Sequence, residues 1–237
     1  VPFLFGAAEK IPEKGKHLDT LEPIDRTYIT INKCLTAMFV YHVIAACYYT
    51  DSIKLRSDEV TLANTVGSLV AFYAFYDFMY MWFHRVLHIR SLYGAIHKHH
   101  HRQKAPSRGN IDAINVHPFE FVVGEYLHLL TVWLIPCHVY TVALFILAGG
   151  IFASLNHTRF DVNIPGFYSV KVRFLILSFS SSPSPHPFSS LLFSSLLFSS
   201  LLFSSLLFAL MAQVHDVHHR LPESNYAQYT MFWDKLH

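Results

Sequence analysis

The chain has 237 residues, a length typical of one domain. Hydrophobic residues make up 52% of it and charged residues only 14%, against about 25% charged in soluble domains, so the composition favours a membrane protein. The formal net charge of +2 is small, and no basic run alternates with aromatic residues, which argues against a nucleic-acid partner. The three cysteines are widely spaced without a CxxC motif, so neither a disulfide framework nor a thiolate zinc site is indicated.

Four apolar stretches follow an N-terminal segment of residues 1–30. Each approaches the length of a membrane-spanning helix, about 17–25 residues. They cover residues 31–49, 61–83, 119–136 and 139–155. Because the chain begins at Val1 rather than Met, we treat the N-terminus as open to extension.

The number of these stretches fixes where the polar segments between them lie. If residues 1–30 are cytosolic, the first pair of spans returns the chain to the cytosol at His84, and the second pair returns it there after residue 155. Basic residues, which concentrate on cytoplasmic sides, support this orientation. Between residues 84 and 118 they are Arg85, Arg90, Lys98, Arg102, Lys104 and Arg108, against the single acid Asp112. The sequence therefore predicts an all-α membrane protein with about four transmembrane helices and a cytosolic, histidine-rich cap.

Three histidine clusters stand in this predicted cap. They contain His84 and His88, then His97, His100 and His101, and finally His215, His218 and His219. Within each cluster the spacing allows the imidazoles to share one face of a helix. Three such faces can enclose one or two metal ions, and imidazole ligands suit iron, copper or zinc without choosing among them.

Other polar residues inside the predicted spans are more ambiguous. Asp77 lies seven residues before His84, on the same helical face, and a carboxylate there is predicted to accept a hydrogen bond from a ligating histidine or, alternatively, from a tyrosine. Glu120 and Asp216 are weaker candidates for the same role. Three histidines in the spans have no obvious partner and are interpreted as core or interface residues: His42, His128 and His138. His99, in the second cluster, is interpreted as facing solvent or as forming a hydrogen bond to a ligating residue.

A low-complexity segment precedes the third cluster. Between residues 178 and 208 every residue except His186 is Ser, Phe, Leu or Pro, and Ser-Ser-Leu-Leu-Phe repeats without substitution. All four residue types have codons made only of C and T, and such a pyrimidine tract precedes a splice acceptor. We therefore predict that residues 172–213 are a retained intron. The alternative, a fifth membrane span, would place the third cluster across the membrane from the other two.

The ordered set of motifs resembles the fatty acid hydroxylase/sterol desaturase superfamily. The motifs are residues 77–88 and 97–101, His117-Pro118-Phe119-Glu120, Asn156-His157, and residues 215–219 with Asn225-Tyr226 and Phe232-Trp233-Asp234. The resemblance covers about residues 72–171 and 214–236. This chain departs from the family pattern in the long insert, in Arg159 after the lone histidine, where many members have glycine, and in stopping at His237, where relatives usually continue.

The resemblance implies an enzyme of the endoplasmic reticulum membrane. It implies two iron ions, O2 as oxidant, and electrons from cytochrome b5 and an NAD(P)H reductase. It also adds His117 and His157 to the predicted ligands. The predicted substrate is a sterol or a fatty acyl or sphingolipid, and the predicted reaction is hydroxylation, desaturation or demethylation.

Two alternatives remain at this point. A membrane metal transporter would also carry histidines near its helices, although its ligands should lie near the middle of the bilayer. The chain could also be an inactive product of a faulty gene model. Along the sequence, the predicted organisation is residues 1–30, the membrane helices with the first two clusters in 31–171, the insert 172–213, and a truncated third-cluster segment 214–237.

Overall fold

The structure is a computed structural model that describes residues 20–158, 218–219, 226–229, 233–234 and 236, together with the backbone of 9–10 and 160–161. The predicted insert, residues 172–213, lies outside the described residues. So does His215.

Four long helices dominate the described part of the chain. They are α1 Pro23–Tyr49, α2 Ser68–Leu87, α5 Pro118–Leu134 and α6 Val139–Asn156. The all-α prediction is confirmed in part, because the described part of the chain is mostly helical but also contains two short strand pairs. Between them lie short helices α3 Arg90–Ala95 and α4 Asn110–Ala113, 3-10 turns Ser57–Glu59 and His97–Arg102, and a π-helical turn Ala63–Gly67. Two-residue strands pair β1 Glu9–Lys10 antiparallel with β4 Phe160–Asp161, and β2 Ile53–Lys54 parallel with β3 Cys137–His138.

Polar residues set the starts of three helices. α1 begins eight residues before the predicted span because Asp25 Oδ2 accepts the Glu22 N–H at 2.7 Å and Pro23 occupies the first turn, where proline is favoured. Hydropathy alone cannot detect this polar start. α5 and α6 are both capped by histidine side chains, since His117 Nδ1 accepts the Phe119 N–H and His138 Nδ1 accepts the Tyr140 N–H, each at 3.2 Å. A helix cap satisfies a backbone donor that the helix itself leaves unpaired.

The long helices alternate in direction, so their ends meet in two sets. At one end, β2 pairs with β3 and Ser68 Oγ donates to the Pro136 carbonyl at 2.7 Å. At the other end, Asn32 Nδ2 near the start of α1 donates to the carbonyls of Ile114 and Val116, just before α5. The C-termini of α2 and α6 lie at this second end, which is where the histidines are.

The core and the outer surface of the bundle are both apolar. Inside, Phe72 and Tyr73 of α2 pack against Phe145 of α6, with ring centroids 5.0 and 5.3 Å apart. Outside, the helices expose large apolar side chains such as Tyr41, Ile44, Tyr48, Trp133, Leu147 and Ile151. Such exposed apolar surface marks a membrane or protein contact. By length and composition, two of the described helices, Pro23–Tyr49 and Val139–Asn156, are able to cross a membrane. The number of crossings and their orientation stay predictions.

Candidate metal centre

Histidines from four elements meet at one end of the bundle. The last turn of α2 carries His84, His88 is its C-cap, and the 3-10 turn His97–Arg102 follows after the short helix α3. His157 closes α6 as its C-cap. His218 and His219 come from the short C-terminal helical segment.

These histidines form two adjacent groups. The five-histidine group contains His84, His88, His97, His101 and His218, and the three-histidine group contains His100, His157 and His219. Within each group the potential ligand nitrogens all lie within 4.8 Å of one another. The second and third clusters are each divided between the two groups. The sequence spacing had allowed all histidines of a cluster to lie on one face of a helix. The division arises because the second cluster lies on a 3-10 turn and because adjacent helical residues, such as His218 and His219, point in different directions.

Hydrogen bonds fix which ring nitrogen carries the proton in two members of the five-histidine group. His84 Nδ1 lies 2.8 Å from the Tyr226 carbonyl oxygen, which can only accept, so Nδ1 is the donor. His97 Nδ1 donates in the same way to Glu120 Oε1 at 2.8 Å. In the neutral rings both Nε2 atoms therefore carry lone pairs. These two lone pairs face each other at 2.9 Å, which is repulsive unless a cation lies between them.

The spacing of the nitrogens matches that of metal ligands. Histidine nitrogens bind a first-row metal at about 2.0–2.1 Å, so two ligands at right angles lie roughly 3 Å apart. The Nε2–Nε2 distances are 2.9 Å from His101 to His97 and 3.1 Å from His218 to His84. Nε2 of His88 is buried and has no hydrogen-bond partner among the described residues. The five-histidine group thus fits a cation without rearrangement.

The three-histidine group shows the same pattern. His157 Nδ1 donates to the Ala153 carbonyl at 2.7 Å, which leaves the Nε2 lone pair directed at His100 Nε2, 3.4 Å away. The rings of His100 and His219 lie 4.6 Å apart. The two groups adjoin, since the ring centroids of His101 and His219 are separated by 5.3 Å. Two neighbouring ions would fit this arrangement.

Burial keeps the imidazoles neutral. Desolvation, followed by repulsion from His218, lowers the pKa of His88 to about 4, and the same causes lower the pKa of His101 to about 3. The pKa values of His84, His97 and His100 also fall well below the ordinary value, mainly because these rings are buried. At neutral pH the lone pairs are therefore not occupied by protons. A metal ion would not have to displace protons from these nitrogens.

A cavity of about 350 Å³ leads from the three-histidine group into the bundle. Its wall near the histidines includes His100, His157 and Glu120. Further from the histidines the wall contains the apolar residues Phe39, Val40, Ile146 and Gly149 and the polar residues Glu125, His128 and Tyr229. Such a volume is in the range of small-molecule sites, and an apolar wall suits a hydrocarbon ligand.

A sequence profile of the fatty acid hydroxylase family matches residues 69–237, a range that contains every histidine of both groups. The chain belongs to the fatty acid hydroxylase family. Similar curated proteins include the "Cholesterol 25-hydroxylase-like protein" of Caenorhabditis elegans, 34% identical over 83 residues that make up 34% of this chain and 27% of that protein. Another is "Methylsterol monooxygenase 2-2" of Arabidopsis thaliana, 27% identical over 153 residues, 56% of this chain and 55% of that protein. No solved structure matches the chain significantly.

Within this member of the fatty acid hydroxylase family, the structure brings together most of the predicted ligands. His84, His88, His97, His100, His101, His157, His218 and His219 all lie in the two groups. His117 lies outside both; it caps α5, and its ring is 5.4 Å from that of Tyr28. His99 Nε2 contacts Asn115 and Asp25 at 2.9 and 3.1 Å, beside the site. Metal ligation itself stays a prediction.

The predicted carboxylates behave differently from one another. Asp77 Oδ1 accepts the Tyr229 N–H at 2.7 Å, and so holds the segment that carries Tyr226, the partner of His84. Its described contact with the site is therefore indirect. Glu120, the weaker candidate, receives the hydrogen bond from His97. Asp216 lies outside the described residues.

Sequence reasoning missed the contribution of the 226–229 segment. The Tyr226 carbonyl orients His84, and Asp234 holds this segment by accepting the N–H groups of Tyr226 and Ala227 at 3.0 and 2.9 Å. A backbone carbonyl has no signature in the sequence. His128, interpreted as lacking a partner, bonds the Tyr229 hydroxyl at 2.8 Å across 101 residues of sequence.

Proposed function

We propose that this chain is a membrane-bound oxidoreductase that uses O2 to hydroxylate a lipid, with one iron ion in each histidine group. The observation that carries the proposal is the pair of adjacent histidine groups at the end of a largely apolar cavity. The names of both curated relatives, a hydroxylase-like protein and a monooxygenase, support hydroxylation over desaturation.

The bound metal would supply the oxidation chemistry. In hydroxylation one oxygen atom of O2 enters a C–H bond and the other leaves as water, and the reaction consumes two electrons and two protons from a donor. The protein holds the ligands: Glu120 and the Tyr226 carbonyl fix the tautomers of His97 and His84. Partners of this kind orient ligands and raise their basicity. Imidazole ligands alone do not select iron, and family membership supports that choice.

The substrate is proposed to be a sterol. The cavity provides an apolar site, and both curated relatives have sterol substrates in their names. A substrate that entered between the helices would place its hydrocarbon against Phe39, Val40 and Ile146 and one of its carbons beside His100 and His157. Enclosure by apolar side chains also keeps water from the oxidised carbon.

Electrons are proposed to come from a cytochrome b5-type protein served by an NAD(P)H reductase. Arg90, Lys98 and Lys104 are exposed beside the histidine groups, where they would attract an acidic partner. Basic residues also favour the cytosolic side of a membrane. We therefore propose that the histidine end faces the cytosol, and the resemblance to the family supports the endoplasmic reticulum membrane as the location. The histidines lie at helix ends rather than in mid-helix, which disfavours the metal transporter.

The test is metal content and oxygen incorporation. The purified protein should contain close to two iron ions per chain and should transfer one atom of ¹⁸O2 to cholesterol in the presence of a reductant. His88→Ala, His100→Ala and His218→Ala should each abolish oxidation, whereas His42→Ala, outside both groups, should not. Less than one iron per chain, or full activity in all three variants, would contradict the proposal.

The same assay tests the intron prediction. Deleting residues 172–213 should raise iron content and turnover, because the third cluster would then follow α6 after a short connection. Equal turnover of the full chain and the deletion variant, together with mature transcripts that keep this region, would show that the intron prediction is wrong.

A further inference from the structure

We propose that the deep end of the cavity is a binding site for the hydroxyl group of a lipid alcohol, with the Tyr229 side-chain oxygen as its acceptor. This inference rests on the proposed lipid-oxidising function and names the side chains that would bind the hydroxyl group of its substrate. The site consists of Tyr229 and His128, with Glu125 on the same cavity wall and Gly149 beneath the Tyr229 hydroxyl.

The hydrogen bonds of His128 decide what the site offers to a ligand. His128 Nδ1 lies 3.1 Å from the Gly124 carbonyl and therefore donates to it, so Nε2 carries a lone pair. That lone pair accepts the Tyr229 hydroxyl proton at 2.8 Å. The single O–H of Tyr229 is then engaged with His128, and the Tyr229 oxygen is still able to accept a hydrogen bond. Tyr229 lines the cavity, so the group that matches it is a hydrogen-bond donor.

Gly149 makes this arrangement possible. A Cβ atom at this position would lie 2.6 Å from the Tyr229 hydroxyl oxygen and 3.3 Å from His128 Nε2. Any larger residue would displace the tyrosine hydroxyl from α6. At Gly150, next to it, an added Cβ would meet nothing within 4 Å, so the neighbouring glycine is under no such constraint. Gly149 thus leaves room for the hydrogen-bonded Tyr229 hydroxyl and His128 ring beside α6.

The depth of the site indicates the chemistry of the ligand. His128 lies eight residues after Glu120 on α5, and Gly149 lies eight residues before His157, so on both helices the distance to the histidine end is about 12 Å. Between them the wall is formed by Phe121, Gly124, Gly150 and Ala153, with Tyr80 and Glu125 as its polar members. A charged headgroup would pay a large desolvation cost at this depth, whereas a hydroxyl is satisfied by one hydrogen bond. The ligand is therefore a neutral lipid alcohol, oxidised at a carbon about 1 nm from its hydroxyl.

The experiment compares two probes that differ only in the hydroxyl. Cholesterol and cholest-5-ene, the same sterol without its 3-hydroxyl, are titrated into the full, iron-loaded chain in detergent under anaerobic conditions, so that binding is measured without oxidation. One net hydrogen bond predicts a preference for cholesterol of about three- to tenfold. Tyr229→Phe should remove this preference by weakening cholesterol binding alone. Gly149→Ala should reduce it as well.

Tyr126→Phe is the matched control. Tyr126 also bonds a histidine, His42, at 2.7 Å between α5 and α1, but neither residue lines the cavity. The control should keep the preference for cholesterol. If the wild-type chain binds both probes equally, the hydroxyl site is wrong and the lipid-oxidase proposal stands. If neither probe binds, the sterol-binding cavity of the proposed function fails and the hydroxyl site fails with it.

Discussion

Removing the Glu120 carboxylate should weaken metal binding without removing a ligand. Glu120 Oε1 accepts the His97 Nδ1–H at 2.8 Å, with the two side chains 6% and 0% exposed. Leaving a buried hydrogen-bond donor without its partner costs about 1–3 kcal/mol, and loss of a partner that orients a ligating histidine typically costs about 10- to 100-fold in metal affinity. Glu120→Ala is expected near the upper end of that range, because His97 then loses its only carboxylate partner among the described residues and both its orientation and its tautomer become free.

Anaerobic competition with a chromogenic chelator measures this affinity for iron(II). Glu120→Gln should stay closer to the wild-type protein than Glu120→Ala does, since an amide oxygen still accepts the hydrogen bond from His97. Glu125→Gln is the matched control. Glu125 lies on the same helix and lines the cavity, but it belongs to neither histidine group. Its iron affinity should stay within about twofold of the wild type. An unchanged affinity in Glu120→Ala would refute the role assigned to this carboxylate.

Three further predictions concern stability and topology. Since the folded-state pKa values of His88 and His101 lie below the unfolded value of about 6.5, the unfolded chain binds more protons in acid. The metal-free protein should therefore lose stability as pH falls from about 6.5 to about 4, by at most about 1.4 kcal/mol per pH unit for each histidine. Thermal unfolding at several pH values measures this loss. A midpoint temperature that is constant or higher in acid would contradict the prediction. Gly109→Ala should lower the free energy of unfolding by about 1–3 kcal/mol, because Gly109 has φ 57° and ψ −123°, a conformation that L residues rarely adopt. Gly94→Ala, in a helix with open space around it, should not lower it. Chemical denaturation of the two variants measures the difference. Asn156, in the formal sequon Asn156-His157-Thr158, is buried and should remain unglycosylated; a glycosidase-sensitive mass shift that disappears in Asn156→Gln would overturn the proposed orientation.

Local spacing predicted the parts of the site that lie within one element. His84 and His88 are four residues apart at the end of α2, and their convergence follows from helix geometry alone. The helical hairpin of α5 and α6 also follows from two apolar stretches with a short break. By contrast, the division of the second cluster between two groups depends on a 3-10 turn, which the HxxHH spacing does not distinguish from an α-helix.

Contacts between distant segments could not be predicted from spacing. His84 meets the Tyr226 carbonyl across 142 residues, and Asp77 meets the Tyr229 N–H across 152. His117 shows a different limit. A histidine before proline at a helix start is able to bind a metal or to cap the helix, and only the three-dimensional position of its Nδ1, on the Phe119 N–H, shows the second use.

The pairing of early and late segments has a consequence for biosynthesis. His218 and His219 complete the two histidine groups, and the 226–229 segment orients His84, yet all of these residues leave the ribosome after the four long helices. A nascent chain that has already formed these helices still lacks a histidine from each group. On the proposed function, a chain stalled before residue 218 would bind iron only weakly, because both histidine groups would be incomplete.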